Sequence, residues 1–118
     1  MRGNAMKRKH MPARYECVRQ GVKVAGRTVY VDIGRDSDGV VRSLFVDAYK
    51  TGTEQRALVE VVSKVISIAL QYDVPLGKLA RAIRGTKFKP AGIVVGDNKV
   101  RFASSPLDYV AKHLEEVL

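Results

Sequence analysis

Val22-Lys23-Val24-Ala25-Gly26-Arg27-Thr28-Val29-Tyr30-Val31-Asp32-Ile33 alternates apolar and polar side chains on either side of an Ala-Gly step. Val22, Val24, Val29, Val31 and Ile33 share one face, with Thr28, Tyr30 and Asp32 on the other, because successive side chains of a strand point to opposite sides. Ala25-Gly26 is the turn between two strands that run from Glu16 to Gly34. Asp36-Ser37-Asp38-Gly39 is a second turn signal, leading to a third strand near Val40 to Tyr49 with Leu44, Val46 and Ala48 on one face. The pattern predicts an α+β fold, an antiparallel meander of three to four strands packed against about three helices. The Asp-rich turn is not a calcium loop, since Gly34 and Phe45 fall where the first and the closing carboxylate ligands belong.

A first helix is predicted from the capping residue Thr53 to about Asp73. Its polar residues Glu60, Ser63, Lys64, Ser67 and Gln71 make one narrow stripe, and Leu58, Val59, Val61, Val62, Val65, Ile66, Ile68, Ala69 and Leu70 fill the rest. Such a helix is covered on more than one side, by the sheet and by another helix or a second copy, so a homodimer or larger homo-oligomer is expected. Val74-Pro75-Leu76 opens a second helix that stops at Gly85, with Leu79, Ala80 and Ile83 inward. Residues 86–103 read as irregular or short strand. Ser104-Ser105-Pro106-Leu107-Asp108 then opens a third helix, with Ser105 as cap and Asp108 three positions on. Residues 1–15 read as a basic flexible tail and residues 16–118 as one domain.

A chain of 118 residues, 46% hydrophobic and 28% charged, suits one packed soluble domain. A single cysteine, Cys17, with two histidines, His10 and His113, excludes a disulfide framework and the usual four-ligand zinc site, so no metal is expected. The apolar run from Leu58 to Leu70 is interrupted by polar residues and falls short of the ~20 residues a membrane span needs. No secretory signal is read at the amino terminus, and a cytoplasmic protein without a membrane partner is expected. The formal net charge of +9 is uneven. Arg2, Lys7, Arg8, Lys9, Arg14, Arg19 and Lys23 face only Glu16 in the first 23 residues, while Lys78, Arg81, Arg84, Lys87, Lys89, Lys99 and Arg101 face only Asp97 in residues 78–101. Clusters of this kind attract phosphate, or serve as solvated faces.

Neither Gly-rich nucleotide fingerprint occurs, and no paired carboxylates, activated nucleophile or metal-ligand cluster is legible, so no catalytic residue and no cofactor is expected. What remains is a binding set: Lys87, Phe88 and Lys89, then Asn98, Lys99 and Arg101, then Ser104 and Ser105, with Arg56 or Arg84 from the helical side. Phe88 is expected to stack on a base, Asn98 to meet a base edge, Lys87 and Arg101 to neutralise phosphate, and the backbone donors beside Ser104 and Ser105 to accept one phosphate. The same residues also read structurally, with Phe88 in the core, Asp97-Asn98 as a turn and the serines as caps.

Several stretches carry a family resemblance: Val29-Tyr30-Val31, Leu44-Phe45-Val46-Asp47 with Lys50-Thr51-Gly52, Ile66-Ser67-Ile68-Ala69-Leu70-Gln71-Tyr72-Asp73-Val74-Pro75-Leu76, Thr86-Lys87-Phe88-Lys89-Pro90-Ala91-Gly92, and Ala103-Ser104-Ser105-Pro106-Leu107-Asp108-Tyr109. In this order they resemble the TSCPD domain, in the version found near the carboxyl end of adenosylcobalamin-dependent ribonucleotide reductases, over roughly residues 19–117. In those enzymes the domain accompanies a large barrel that holds the radical chemistry and the active-site cysteines. The resemblance therefore implies a module that binds a nucleotide or docks on a reductase chain and does not itself reduce ribonucleotides. A phage or mobile-element protein that sequesters cyclic nucleotide immune signals, similar to small Thoeris anti-defence proteins, is the alternative expectation. A small basic nucleic-acid binder is the third.

Overall fold

The computed structural model describes residues 7–117. Strands β1 (Cys17–Val24), β2 (Arg27–Arg35) and β3 (Val41–Asp47) form the predicted meander. Ala25 and Gly26 turn with φ of 50° and 81°, the paired positive values that let a two-residue loop follow the strands' twist. Strand β4 (Gly92–Val95) adds to the other side of β1, and β5 (Phe102–Ala103) adds to β4. The antiparallel sheet thus has five strands in the order β3-β2-β1-β4-β5, against three to four expected. The additional strands are short, β4 bounded by Gly92 and Gly96 and β5 only two residues long, so they hold no alternating run to read.

Helices α1 (Glu54–Gln71), α2 (Leu76–Ile83) and α3 (Pro106–Glu116) complete the fold. Thr53 and Ser105 cap α1 and α3 as their side chains predict, each hydroxyl accepting from the backbone N–H three residues on. Val24, Val29, Val31 and Val46 of one sheet face are buried against Ile66 and Leu70 of α1, Ala80 of α2, and Tyr109 and Leu114 of α3. Among the described residues the other sheet face stays open. There Arg19 pairs with both oxygens of Asp32 at 2.7 and 2.9 Å, and its guanidinium lies 4.6 Å from the ring centre of Tyr30. That ring covers Gly21, where a Cβ would come within 2.9 Å of it.

Helix α1 also closes the free edge of β3. Ser67 Oγ accepts from the Leu44 N–H at 2.9 Å and donates to the Leu44 carbonyl at 3.0 Å, and Gln71 Nε2 donates to the Arg42 carbonyl at 3.2 Å. These bonds satisfy backbone groups that another strand would otherwise pair. The narrow polar stripe of α1 is therefore turned largely inward, with Ser63 and Gln71 buried. Leu58, Val61, Val65 and Ile68 are left facing out, at 67%, 55%, 59% and 41% exposure.

Of the stretch expected to be a flexible tail, residues 1–6 lie outside the described residues. Farther along, Arg8 Nε donates to Gln71 Oε1 at 2.6 Å, and Lys9 binds the Gln71 carbonyl through its N–H and Asp73 through its ammonium. The segment is tied to the carboxyl end of α1.

Arg42, 6% exposed, holds this corner. It donates to Asp36 at 3.0 Å, to Asp73 at 2.6 Å and to the Leu70 carbonyl at 2.8 Å. Arg42 holds the Asp36 carboxyl below its usual range, and Lys9 followed by Arg42 does the same for Asp73. Both carboxyls protonate less readily folded than unfolded, so their contribution is complete above the ordinary carboxylate range and drains away as pH falls below about 4. Arg42→Ala is expected to cost about 2 kcal/mol in urea unfolding at pH 7. The gap from the parent should narrow at pH 3; a gap independent of pH would contradict the ionic account.

Candidate functional site

The link between β4 and β5 is shaped by Asp97. Its Oδ1 accepts from the N–H groups of Lys99 and Val100 at 2.9 and 3.1 Å, and its Oδ2 accepts from the Tyr109 hydroxyl at 2.9 Å, which pins the turn to α3. Burial pushes the Asp97 carboxyl up, but these donors outweigh it and hold the group low. Burial, reinforced by Asp97, pushes the Tyr109 phenol far above its usual value, so it stays protonated and donating.

So fixed, the turn presents Lys99 and Arg101 to solvent, followed by Phe102, whose side chain is 55% exposed. Helix α3 brings Lys112 across, its ammonium donating to the Phe102 carbonyl at 2.8 Å and lying 5.7 Å from the ring centre. Arg84, at the carboxyl end of α2, completes a hollow of about 570 Å³. Arg84 is paired with Glu115 at 2.6 Å, and Lys112 with Asp108 at 3.1 Å. Among the described residues, Lys99 and Arg101 make no ion pair with any carboxylate. The hollow thus offers two uncommitted cations and two committed ones against the carboxylates of Glu115 and Glu116, with an exposed aromatic face, a set of net positive charge suited to phosphate beside a planar base. A larger hollow near the amino terminus sets Arg14 and Arg35 beside Glu16 and Asp36, without this excess of positive charge.

Of the residues singled out from sequence, Arg84, Lys99 and Arg101 come together here, joined by Lys112 and Phe102, which sequence reading missed. Phe88 lies elsewhere. It is half-buried, stacks near Tyr49 with ring centres 6.5 Å apart, and lines an apolar groove of about 230 Å³ with Leu58, Val62 and Leu107. That groove shares no residue with the cationic hollow, so the expected single pocket of Lys87, Phe88, Asn98 and Arg101 is divided, and Phe102 is the aromatic beside the cations. Lys87 and Lys89 flank Phe88 and are exposed; the Lys89 carbonyl accepts from the Tyr49 hydroxyl at 2.6 Å. Asn98 is exposed at the turn, and its carbonyl accepts a long bond from Arg101 Nε at 3.4 Å. Arg56 belongs to another surface, paired with Asp47 at 2.5 Å and Glu60 at 3.2 Å and 5.8 Å from the Phe45 ring centre.

Ser104 and Ser105 stand at the start of α3, but the chain's own Asp108 carboxylate fills that position. Its oxygens accept from the Gly85 N–H at 2.8 Å and the Ser104 N–H at 2.9 Å, while Ser105 Oγ accepts from the Asp108 N–H at 2.9 Å. Ser104 Oγ donates to the Thr86 carbonyl at 3.0 Å. A helix start stabilises one anion, and an intramolecular carboxylate claims it at no cost in association entropy.

Among known proteins, the chain is similar to the vitamin B12-dependent ribonucleotide reductase of Agrobacterium fabrum, 38% identical over 107 residues, and to that of Bradyrhizobium diazoefficiens, 36% identical over 107 residues. Each match covers 91% of this chain but only 8% of the relative's length. The corresponding protein of Rhodopirellula baltica is 28% identical over 108 residues, covering 92% of this chain and 10% of its own. No solved structure matches. The model of the TSCPD domain matches residues 4–118, and the chain belongs to the TSCPD domain family.

Proposed function

We propose that the chain is a non-catalytic nucleotide-binding module associated with ribonucleotide reduction, and that the ligand's phosphates sit between Lys99, Arg101 and Lys112. The observation that carries this reading is the pair of uncommitted cations on the Asp97-anchored turn beside the open face of Phe102. Arg101 would take two phosphate oxygens at once, Lys99 would act as a mobile point charge, and Phe102 would stack on the base. The kinship with reductases supplies the metabolic context. The residues do not fit the cobalamin that those relatives' names imply. His10 is exposed on the amino-terminal segment, His113 faces inward, and the hollow is lined by charged groups rather than a broad apolar cleft. No step is derived through that cofactor.

Thermal unfolding with a panel of nucleotides tests the reading. A nucleoside triphosphate at a hundred times its dissociation constant is expected to add about 2.7 kcal/mol, largely kept between 50 and 200 mM salt. Stabilisation by cyclic nucleotides alone would favour the signal-sequestering alternative. Response to an oligonucleotide alone, collapsing with salt, would favour the nucleic-acid reading.

The outward stripe of α1 supports a second copy of the chain as its partner. Leu58, Val61, Val65 and Ile68 are spaced by three, four and three residues, so the stripe reads alike in both directions about Ser63. An antiparallel pairing sets Leu58 against Ile68 and Val61 against Val65 of the other copy. It also brings the exposed Glu54 at one end of the helix toward Arg8 and Lys9, which are docked at the other end. A parallel pairing would set like charges together.

A further inference from the structure

Behind the turn that carries Lys99, three side chains with metal-binding chemistry converge where no ligand role has been given to any of them. His113 and Glu116, one turn apart on α3, meet Asp97 from the β4–β5 link. His113 Nδ1 is 4.0 Å from Asp97 Oδ2 and 3.8 Å from Glu116 Oε2, and candidate ligand atoms of the three residues all lie within 4.8 Å of one another. The side chain of Asp97 is 6% exposed and that of His113 12%. His113 Nδ1 and Glu116 Oε1 are buried with no hydrogen-bond partner in the protein.

Two buried polar atoms without partners, on side chains that meet the same Asp97 carboxylate, are costly unless something bridges the cluster. A proton is the competing bridge: burial and the neighbouring Asp97 push the Glu116 carboxyl up, toward the protonated form that can donate to Asp97, whereas at 3.8 and 4.0 Å neither carboxylate is within hydrogen-bond range of His113 Nδ1. A tetrahedral ion held at about 2.1 Å by each donor places the donors roughly 3.4 Å apart, so from separations of 3.8 and 4.0 Å, and of at most 4.8 Å across the set, the donors must draw in by roughly 0.4 to 1.4 Å. One imidazole and two carboxylates suit a first-row divalent ion of the zinc or manganese type. The Tyr109 hydroxyl, donating to Asp97 Oδ2, orients that carboxylate from behind, as outer-shell partners of metal ligands do.

We propose that Asp97, His113 and Glu116 form a divalent metal site that fastens the β4–β5 turn to the end of α3. Its remaining coordination position would open toward the hollow, whose wall Glu116 shares. The site does not depend on the nucleotide reading, because the ion bridges protein groups whether or not a ligand is bound nearby.

The test uses the full chain freed of metal with chelator, then titrated with Zn²⁺ and separately with Mn²⁺, no nucleotide being present. One equivalent is expected to bind, raising the melting temperature by roughly 10 °C at a hundredfold excess over the dissociation constant. His113→Gln should abolish the response while His10→Gln keeps it. Should His113→Gln fail to fold, Mn²⁺ line broadening in amide spectra of the parent decides the matter, because it is expected at residues 97–100 and 113–116. Broadening centred on His10, or no metal response at millimolar ion, would overturn the proposal. So would a melting temperature that follows pH but ignores metal, since that outcome makes a proton the bridge.

Discussion

Val61→Glu combined with Val65→Glu is expected to convert a species of twice the 13.0 kDa chain mass into single chains in light scattering at micromolar concentration. Both valines are more than half exposed in the single chain, so the change removes little from its own core. In the antiparallel pairing they lie at the centre of the seam, where burying each valine contributes on the order of 1.5 kcal/mol or more. Each substitution occurs in both copies, and the introduced carboxylates face one another across an apolar contact. A loss of about 4 kcal/mol, close to a thousandfold in dissociation constant, is a conservative expectation. The variant should keep a cooperative unfolding transition. A parent already at single-chain mass would remove the second copy as occupant and leave the stripe free for a reductase chain.

Lys99→Glu combined with Arg101→Glu is expected to abolish nucleotide binding in calorimetry while leaving the melting temperature of the unliganded chain within a few degrees of the parent. Neither side chain supports the fold through an ion pair among the described residues, whereas Asp97, which shapes the turn, is untouched. Each charge-assisted contact to phosphate is worth about 1.5–3 kcal/mol, and reversal adds repulsion, so a loss of at least about a hundredfold follows. Phe88→Ala should weaken binding far less than Phe102→Ala, because Phe88 lies in a groove separate from the cations.

Residues 22–33 disclosed the meander because strict alternation has only one reading when one sheet face is buried, and Thr53 and Ser105 disclosed their helices because capping chemistry is local. What failed to show was set by contacts distant in sequence. Ser67 looks like part of a solvated stripe until β3 arrives with unpaired backbone groups for it to bind. The candidate cluster was legible only in part. Arg84, Lys99 and Arg101 were recognised as a basic cluster, but Phe88 and Phe102 cannot be ranked by sequence, since each follows basic residues and only the pairing of β5 with β4 decides which ring stays open. Ser104 and Ser105 resembled an empty phosphate cradle because the return of Asp108 onto Gly85 and Ser104 depends on how α2 meets α3. Asp97, His113 and Glu116 escaped notice for the same reason, being joined only when the turn folds back on the last helix.

The most direct test of the nucleotide-binding reading is an amide-resolved NMR titration of the parent chain with a nucleoside triphosphate. The account requires a saturable response confined to residues 99–103, the end of α2 at Arg84 and α3 from Lys112 to Glu116, lost in the Lys99→Glu, Arg101→Glu variant. Saturable shifts centred on Lys87 to Lys89, or on the Arg56 surface, would contradict it, as would a parent spectrum that no nucleotide perturbs.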